Sequence, residues 1–220
     1  MDFENELTGT TVVAVVYREG SIIAADMQGT WMPVMEKIHK NIRKLVQIGG
    51  YSVVGFAGIP TVLKNIRNIK TVFDSWNNFY GKEITPDGQF NILSRQLPFW
   101  MGNDKMPIGL ILAAFDTEYQ KGRIFQIEFT ISIEFGEDDD GAGFTAIGSG
   151  AKTALDQLEG RGYSIASSYE EALRMVYDAL LFSHKKNAAV GDTYFAYQVT
   201  ARGVKDISEE INSQGRVRHA

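Results

Sequence analysis

The chain has 220 residues, 44% hydrophobic and 22% charged, the proportions of a globular chain long enough to bury one substantial core as a single domain. A net charge of -5 argues against nucleic acid as the partner, because phosphate binding draws on Lys and Arg, and 0 cysteines exclude disulfides, thiol nucleophiles and thiolate metal sites. Met1 to Leu7 is acidic, without the basic start and apolar run of a secretory signal. No apolar stretch approaches the roughly 20 residues that span a bilayer. The expectation is a soluble cytoplasmic protein with no membrane partner.

Residues 11–17 and 21–26 are apolar and β-branched around Arg18-Glu19-Gly20, and read as a hairpin whose glycine supplies an unusual backbone angle. A second pair, 43–48 and 51–57, flanks Gly49-Gly50. From Pro60 the apolar residues Val62, Ile66, Ile69, Phe73 and Trp76 recur at helical spacing, which predicts a helix over 60–79. A second helix over 88–99 follows the turn-forming Pro86-Asp87-Gly88.

Strands are predicted at 107–115, 123–129, 131–135 and 143–147. The acidic run Asp138-Asp139-Asp140 between the last two lacks the spaced ligands of a calcium loop and reads as a solvated turn. Helices follow over 150–160 and from the capping-box sequence Ser168-Tyr169-Glu170-Glu171 to about Lys186. Strands at 193–200 and 203–210 close the chain ahead of a frayed polar tail, 212–220. Antiparallel strands in two groups, interrupted by helices in pairs, predict an α+β domain with two sheets between two helical layers.

The chemistry starts at Gly9-Thr10. A cut there gives Thr10 a free amine beside its own hydroxyl, a nucleophile and its base in one residue. An α-amine titrates near about 7.7–8.0, so a useful fraction is neutral at physiological pH. Asp26 ends the second strand and Lys44 lies in the third. Their opposite charges would keep Lys44 protonated, and its ammonium would lower the amine's pKa. The plainer alternative is a strand-end ion pair.

Gly58, after the strand ending Gly55-Phe56-Ala57, offers an N–H to an oxyanion, or is there for packing. Ser149, in Gly148-Ser149-Gly150, reads in isolation as a helix N-cap. His39, His184 and His219 are scattered without metal-ligand spacing, so no metal or cofactor is expected.

In order and spacing these segments resemble the β-type subunits of the proteasome, the bacterial form above all. The resemblance covers most of 9–211 and rests on Gly9-Thr10-Thr11-Val12-Val13-Ala14, Gly20-Ser21-Ile22-Ile23-Ala24-Ala25-Asp26, Arg43-Lys44-Leu45 before Gly55-Phe56-Ala57-Gly58, and Ile147-Gly148-Ser149-Gly150. The segments Gly81 to Asn91 and Gly122-Arg123-Ile124-Phe125 agree with it too.

It implies a four-layer αββα sandwich of the N-terminal nucleophile (Ntn) hydrolase fold, and a threonine endopeptidase cutting unfolded polypeptides inside a closed ring particle. Residues 1–9 become a propeptide removed by autocleavage between Gly9 and Thr10, and 10–211 the hydrolase domain. Thr10 becomes the nucleophile, Asp26 and Lys44 the charged pair, Gly58 the oxyanion donor, and Ser149 a hydrogen-bonding partner near the amine. Thr30 and Phe56 are assigned to substrate binding, Phe56 flooring a shallow apolar pocket. The implied partners are other β subunits, an α-type ring and an unfoldase ATPase.

The chain departs from that pattern at Met27-Gln28, where basic residues are usual, and in an interval to Lys44 about two residues longer. Asn187 and Val190 stand where the family generally has an Asp and a Ser or Thr. An alternative is therefore a silent, unprocessed ring or scaffold subunit. A third reading is an Ntn amidohydrolase acting on a small amide.

Overall fold

The structure, a computed structural model, describes residues 10–31, 36–39, 42–58, 61–100, 108–128, 132–135, 143–187 and 189–215, with backbone alone at 29–31, 36–39, 61 and 132–135. In it Val12–Tyr17 forms β1 and Gly20–Asp26 forms β2, paired antiparallel from Val12 opposite Ala25 to Tyr17 opposite Gly20. Every residue of both strands is buried, which explains the absence of an apolar–polar alternation in the sequence.

The period of 2 still sorts the side chains: Val13, Val15 and Tyr17 face a helical layer, while Val12, Ala14 and Val16 face a second sheet. Each fully buried Val or Ile contributes about 2 kcal/mol relative to exposure.

The first sheet is completed by β10 (Phe144–Ile147) beside β1, then β11 (Tyr194–Thr200) and β12 (Gly203–Asp206) beyond β2. The second is a meander of β5 (Leu45–Gly49), β6 (Ser52–Ala57), β7 (Gly109–Asp116), β8 (Lys121–Glu128) and β9 (Ser132–Phe135). Helices α1 (Thr61–Tyr80) and α2 (Pro86–Trp100) cover the second sheet through Val62, Ile66, Phe73, Leu93 and Leu97. Helices α3 (Ala151–Gly160) and α4 (Tyr169–Lys186) cover the first through Ala154, Leu158, Val176 and Leu180. The expected αββα order of layers is therefore present.

Several local expectations change. Between β2 and β5 lies an additional pair, β3 (Gly29–Trp31) with β4 (Glu36–His39), where sequence pattern showed no strand. Helix α2 begins at Pro86 itself, with Gly88 N–H donating to Thr85 Oγ1 at 3.3 Å; proline suits a first helical position because its missing N–H has no partner there. The last expected strand stops at Asp206 and gives way to α5 (Ser208–Ser213), so Asn212, assigned to the tail, is instead tied to Tyr194 and Ser208.

Gly20 is not in the left-handed region; the requirement there is close approach, because a Cβ would collide with the Val199 carbonyl of β11. Residues 1–9, expected to be a propeptide, Pro60, the acidic run 138–140 and the tail end 216–220 lie outside the described residues. Among the described residues no helix is long and apolar enough to cross a membrane.

Candidate active site

Asp26 organises this end of the molecule. At the end of β2 and fully buried, it accepts the Thr11 N–H on Oδ1 at 2.7 Å, and on Oδ2 the N–H groups of Gln28 at 3.0 Å and Gly191 at 3.1 Å. The fourth donor is Lys44 Nζ, 2.8 Å from the same Oδ1 that holds Thr11. Isolated buried charge costs several kcal/mol, and a carboxylate with three backbone donors and an ammonium is the compensated form of it. Sharing one oxygen brings the Lys44 ammonium beside the Thr10-Thr11 segment.

Lys44 precedes β5 rather than lying within it, and its carbonyl accepts the Phe56 N–H at 3.1 Å. Burial pulls the Lys44 pKa below the ordinary lysine value, with the Asp26 charge and hydrogen bond opposing that shift.

Thr10 is half-buried at the head of β1. Its carbonyl accepts from the Gly150 N–H at 3.4 Å, a long contact, and Gly148 closes against it from the β10 side. Gly148 has a φ of 96°, and a Cβ there would fall inside the Thr10 carbonyl oxygen, so both conformation and space demand glycine. Ser149 between them is exposed and is not a helix cap: Gly150 holds the N-cap position of α3, without a side-chain cap. Ser149 Oγ instead accepts from Asn187 Nδ2 at 3.1 Å.

Gly58 follows β6 with a φ of 128°, which a side chain would strain. It belongs to the Thr10 end of the sandwich by register: Ala57 pairs with Gly109, Gly109 packs on Ile147, and Ile147 pairs with Val12. Phe56 is 3% exposed and packs outward against Val62 and Leu110 under α1, so only its backbone borders the inter-sheet layer. Thr30 lies in β3, paired with Lys37, and its side chain is outside the described set.

Sequence reasoning missed Gly191, Gln28 and Thr11 as partners of Asp26. Gln28, met only as a departure from a pattern, also donates from Nε2 to the Ala189 carbonyl at 2.8 Å and ties the 187–191 loop to β2. No signal in the sequence marked these contacts, since all three are made by backbone N–H groups, that of Gly191 from 165 residues away and that of Gln28 at a tight turn.

A cleft of about 610 Å³ lined by Tyr51, Glu83, Pro86, Gln89, Phe115 and Asp116 lies at the other end of the sheets, near the β1–β2 turn, and takes no part in this constellation. No group of three His, Asp or Glu among the described residues could hold a metal.

The family model described as Proteasome subunit matches residues 6–198. A protein named Proteasome subunit beta from Rhodococcus jostii (strain RHA1) is 26% identical over 94% of this chain and 72% of its own length. Another of that name from Nocardia farcinica (strain IFM 10152) is 29% identical over 78% of this chain and 61% of its own length. Proteasome subunit beta 1 of Thermococcus onnurineus (strain NA1) is 24% identical over 93% of this chain and 95% of its own length.

Proposed function

Because the chain belongs to the proteasome subunit family as a β-type member, we propose that it is a threonine endopeptidase of a ring-shaped particle, with Thr10 as its N-terminal nucleophile. The observation that carries the proposal is the Asp26 carboxylate that joins Thr11 and Lys44 on one oxygen beside Thr10. After autocleavage at Gly9-Thr10, the Thr10 α-amine takes the proton from Oγ as Oγ attacks a peptide carbonyl. The Gly58 N–H donates to the oxyanion. The amine then passes the proton to the leaving amine, and water attacks the resulting ester to free Thr10.

In this reading Lys44 acts electrostatically. A cation beside the amine disfavours a second positive charge, so the amine is neutral more often and accepts a proton more readily. Other β subunits, an α-type ring and an unfoldase ATPase supply the closed chamber and the unfolded chain, in the cytoplasm. Thr30 and Phe56 border the substrate, and small or medium apolar residues are preferred on the N-terminal side of the cut bond. Fluorogenic peptides of that kind should be hydrolysed by the wild type and not by Thr10→Ala, whereas equal turnover by the two would defeat the reading.

One observation favours a second reading. Asn187 meets Ser149 with an uncharged amide, where the proteasome resemblance leads one to expect a carboxylate. A silent ring subunit would keep residues 1–9 in the assembled particle and hydrolyse none of the peptides.

A further inference from the structure

The cleft of about 610 Å³ at the far end of the sheets lies against the loop between α1 and α2, with Tyr51, Ile84, Pro86 and Phe115 as its apolar wall. That volume falls in the range of about 300–1,000 Å³ that small-molecule sites occupy.

Two buried side chains here end in atoms without a hydrogen-bond partner among the described residues. They are Gln89, 3% exposed, at Oε1, and Ser52, 1% exposed, at Oγ. The orientation of Gln89 is fixed. Its Nε2 donates to the Ile84 carbonyl at 3.0 Å, and a carbonyl only accepts, so Oε1 is the atom left over. Buried polar atoms are nearly always partnered, so two such atoms in one place point to a ligand that brings donors.

Glu83 completes the set. Its Oε1 accepts the Gly50 N–H at 2.6 Å, which ties the β5–β6 turn to the α1–α2 loop. Its Oε2 faces Gly49. A Cβ on Gly49 would stand 2.8 Å from Ser52 Oγ, 2.9 Å from Glu83 Oε2 and 3.6 Å from Gln89 Nε2, so three polar side chains end around one point. Gly49 is outside the left-handed region, and what glycine provides there is room. Glu83 lines both the cleft and a neighbouring one of about 480 Å³ that Gly49 borders.

The other charges on the wall do not alter this balance. Asp116 is already committed, with Oδ1 accepting the Glu118 and Tyr119 N–H groups and Oδ2 meeting Arg123. Lys82 and Glu118 are both exposed and opposite in sign.

We propose that this cleft binds a primary ammonium carried on an apolar stem, either a free amine or a lysine side chain. The ammonium is a compact group with three donors and no acceptor, and it meets Glu83 Oε2, Gln89 Oε1 and Ser52 Oγ. The stem lies along Pro86 and Phe115. The inference is independent of the reading of Thr10, because none of these residues belongs to that site.

The test is calorimetric titration of the full chain, as it purifies, with 4-phenylbutylamine and with its uncharged counterpart 4-phenylbutanol. A blocked Ala-Lys-Ala peptide and the same peptide with norleucine in place of lysine form a second pair, which separates a free amine from a lysine side chain. Two variants locate the site. Glu83→Gln keeps an oxygen for the Gly50 N–H but removes the charge, and Gly49→Ala sets a methyl where the three side chains meet. Urea unfolding of each variant checks that the fold is kept.

The expected result is saturable binding of one 4-phenylbutylamine or one lysine peptide per wild-type chain. The uncharged counterpart should bind at least about tenfold more weakly, and each variant should weaken the charged ligand by at least about tenfold. Absence of saturable binding by both charged probes overturns the inference, since the unpartnered atoms would then face water alone. Equal binding of charged and uncharged probes also overturns it, because the wall would then act without the acceptors. So does unchanged affinity in either folded variant, which would place the ammonium elsewhere. If one variant fails to fold, the other and the wild-type comparison of amine with alcohol still decide.

Discussion

Asp26 Oδ1 accepts the Thr11 backbone N–H at 2.7 Å, which fixes the head of β1 to the end of β2 one residue after the proposed nucleophile. The Asp26 N–H returns the bond to the Thr11 carbonyl at 3.2 Å, so main chain and side chain together set where Thr10 begins. Asp26 therefore places the Thr10 backbone as well as holding Lys44.

Replacing Asp26 with Asn should be costly for that reason. An amide has one acceptor oxygen where the carboxylate offers two, so its NH2 would face a backbone donor at Thr11 or at Gln28 and Gly191. A loss of about 3 kcal/mol in urea unfolding is expected, together with loss of peptidase activity. An Asn variant of unchanged stability would mean that the carboxylate is not holding these groups.

Lys44→Met should remove activity and lower stability by about 3 kcal/mol at neutral pH, because it leaves the fully buried Asp26 charge without its cation. The pH dependence gives a second check. Burial lowers the folded-state pKa of Lys44, so the unfolded chain holds that proton more tightly than the folded chain. Wild-type stability relative to Lys44→Met should then rise as pH climbs from that lowered value towards the ordinary lysine value of about 10.4. A gap that narrows over this window would mean that attraction to Asp26 outweighs burial.

Gly148→Ala should reduce kcat far more than it reduces stability. The new methyl would push on the Thr10 carbonyl, and a misplacement of about 1 Å can cost on the order of 100-fold in rate. The strain of a side chain at a φ of 96° adds about 1–2 kcal/mol. Full activity with wild-type stability would show that Thr10 is not fixed by this contact.

Arg123, far from Thr10, bridges Asp116 on β7 at 3.1 Å and Asp87 on α2 at 2.6 Å. Asp116 is buried, so Arg123→Met should destabilise by about 2 kcal/mol, moderated by the exposure of Asp87. The Arg123 guanidinium also holds the Asp87 carboxyl below the usual carboxylate range. The small contribution from Asp87 is therefore present above the unfolded carboxylate pKa of about 3.9 and lost as pH falls through the lowered folded value. Arg123→Met should flatten that acid limb in urea unfolding, and a limb of unchanged slope would contradict the assignment.

Element type and order were legible because the signals were strong: a helical stripe from Val62 to Trp76, a capping box at Ser168 with Glu171, and long β-branched runs. Pattern failed where an element was short or a proline had two meanings, as at β3, β4 and Pro86. Within the candidate site, the pairing of Asp26 with Lys44 was foreseeable from charge. The Thr11, Gln28 and Gly191 N–H groups were not, because every non-proline residue carries one and only the fold selects which are used. The link from Asn187 to Ser149 was hidden in the same way, since it joins the loop after α4 to the loop before α3.

The most direct measurement is the mass of the N-terminal peptide from wild type and Thr10→Ala, each purified as an assembled particle. The account predicts a wild-type peptide that begins at Thr10 and a variant that still carries residues 1–9. A wild-type peptide that begins upstream of Thr10, or a variant trimmed at the same bond, would contradict a threonine that frees its own amine.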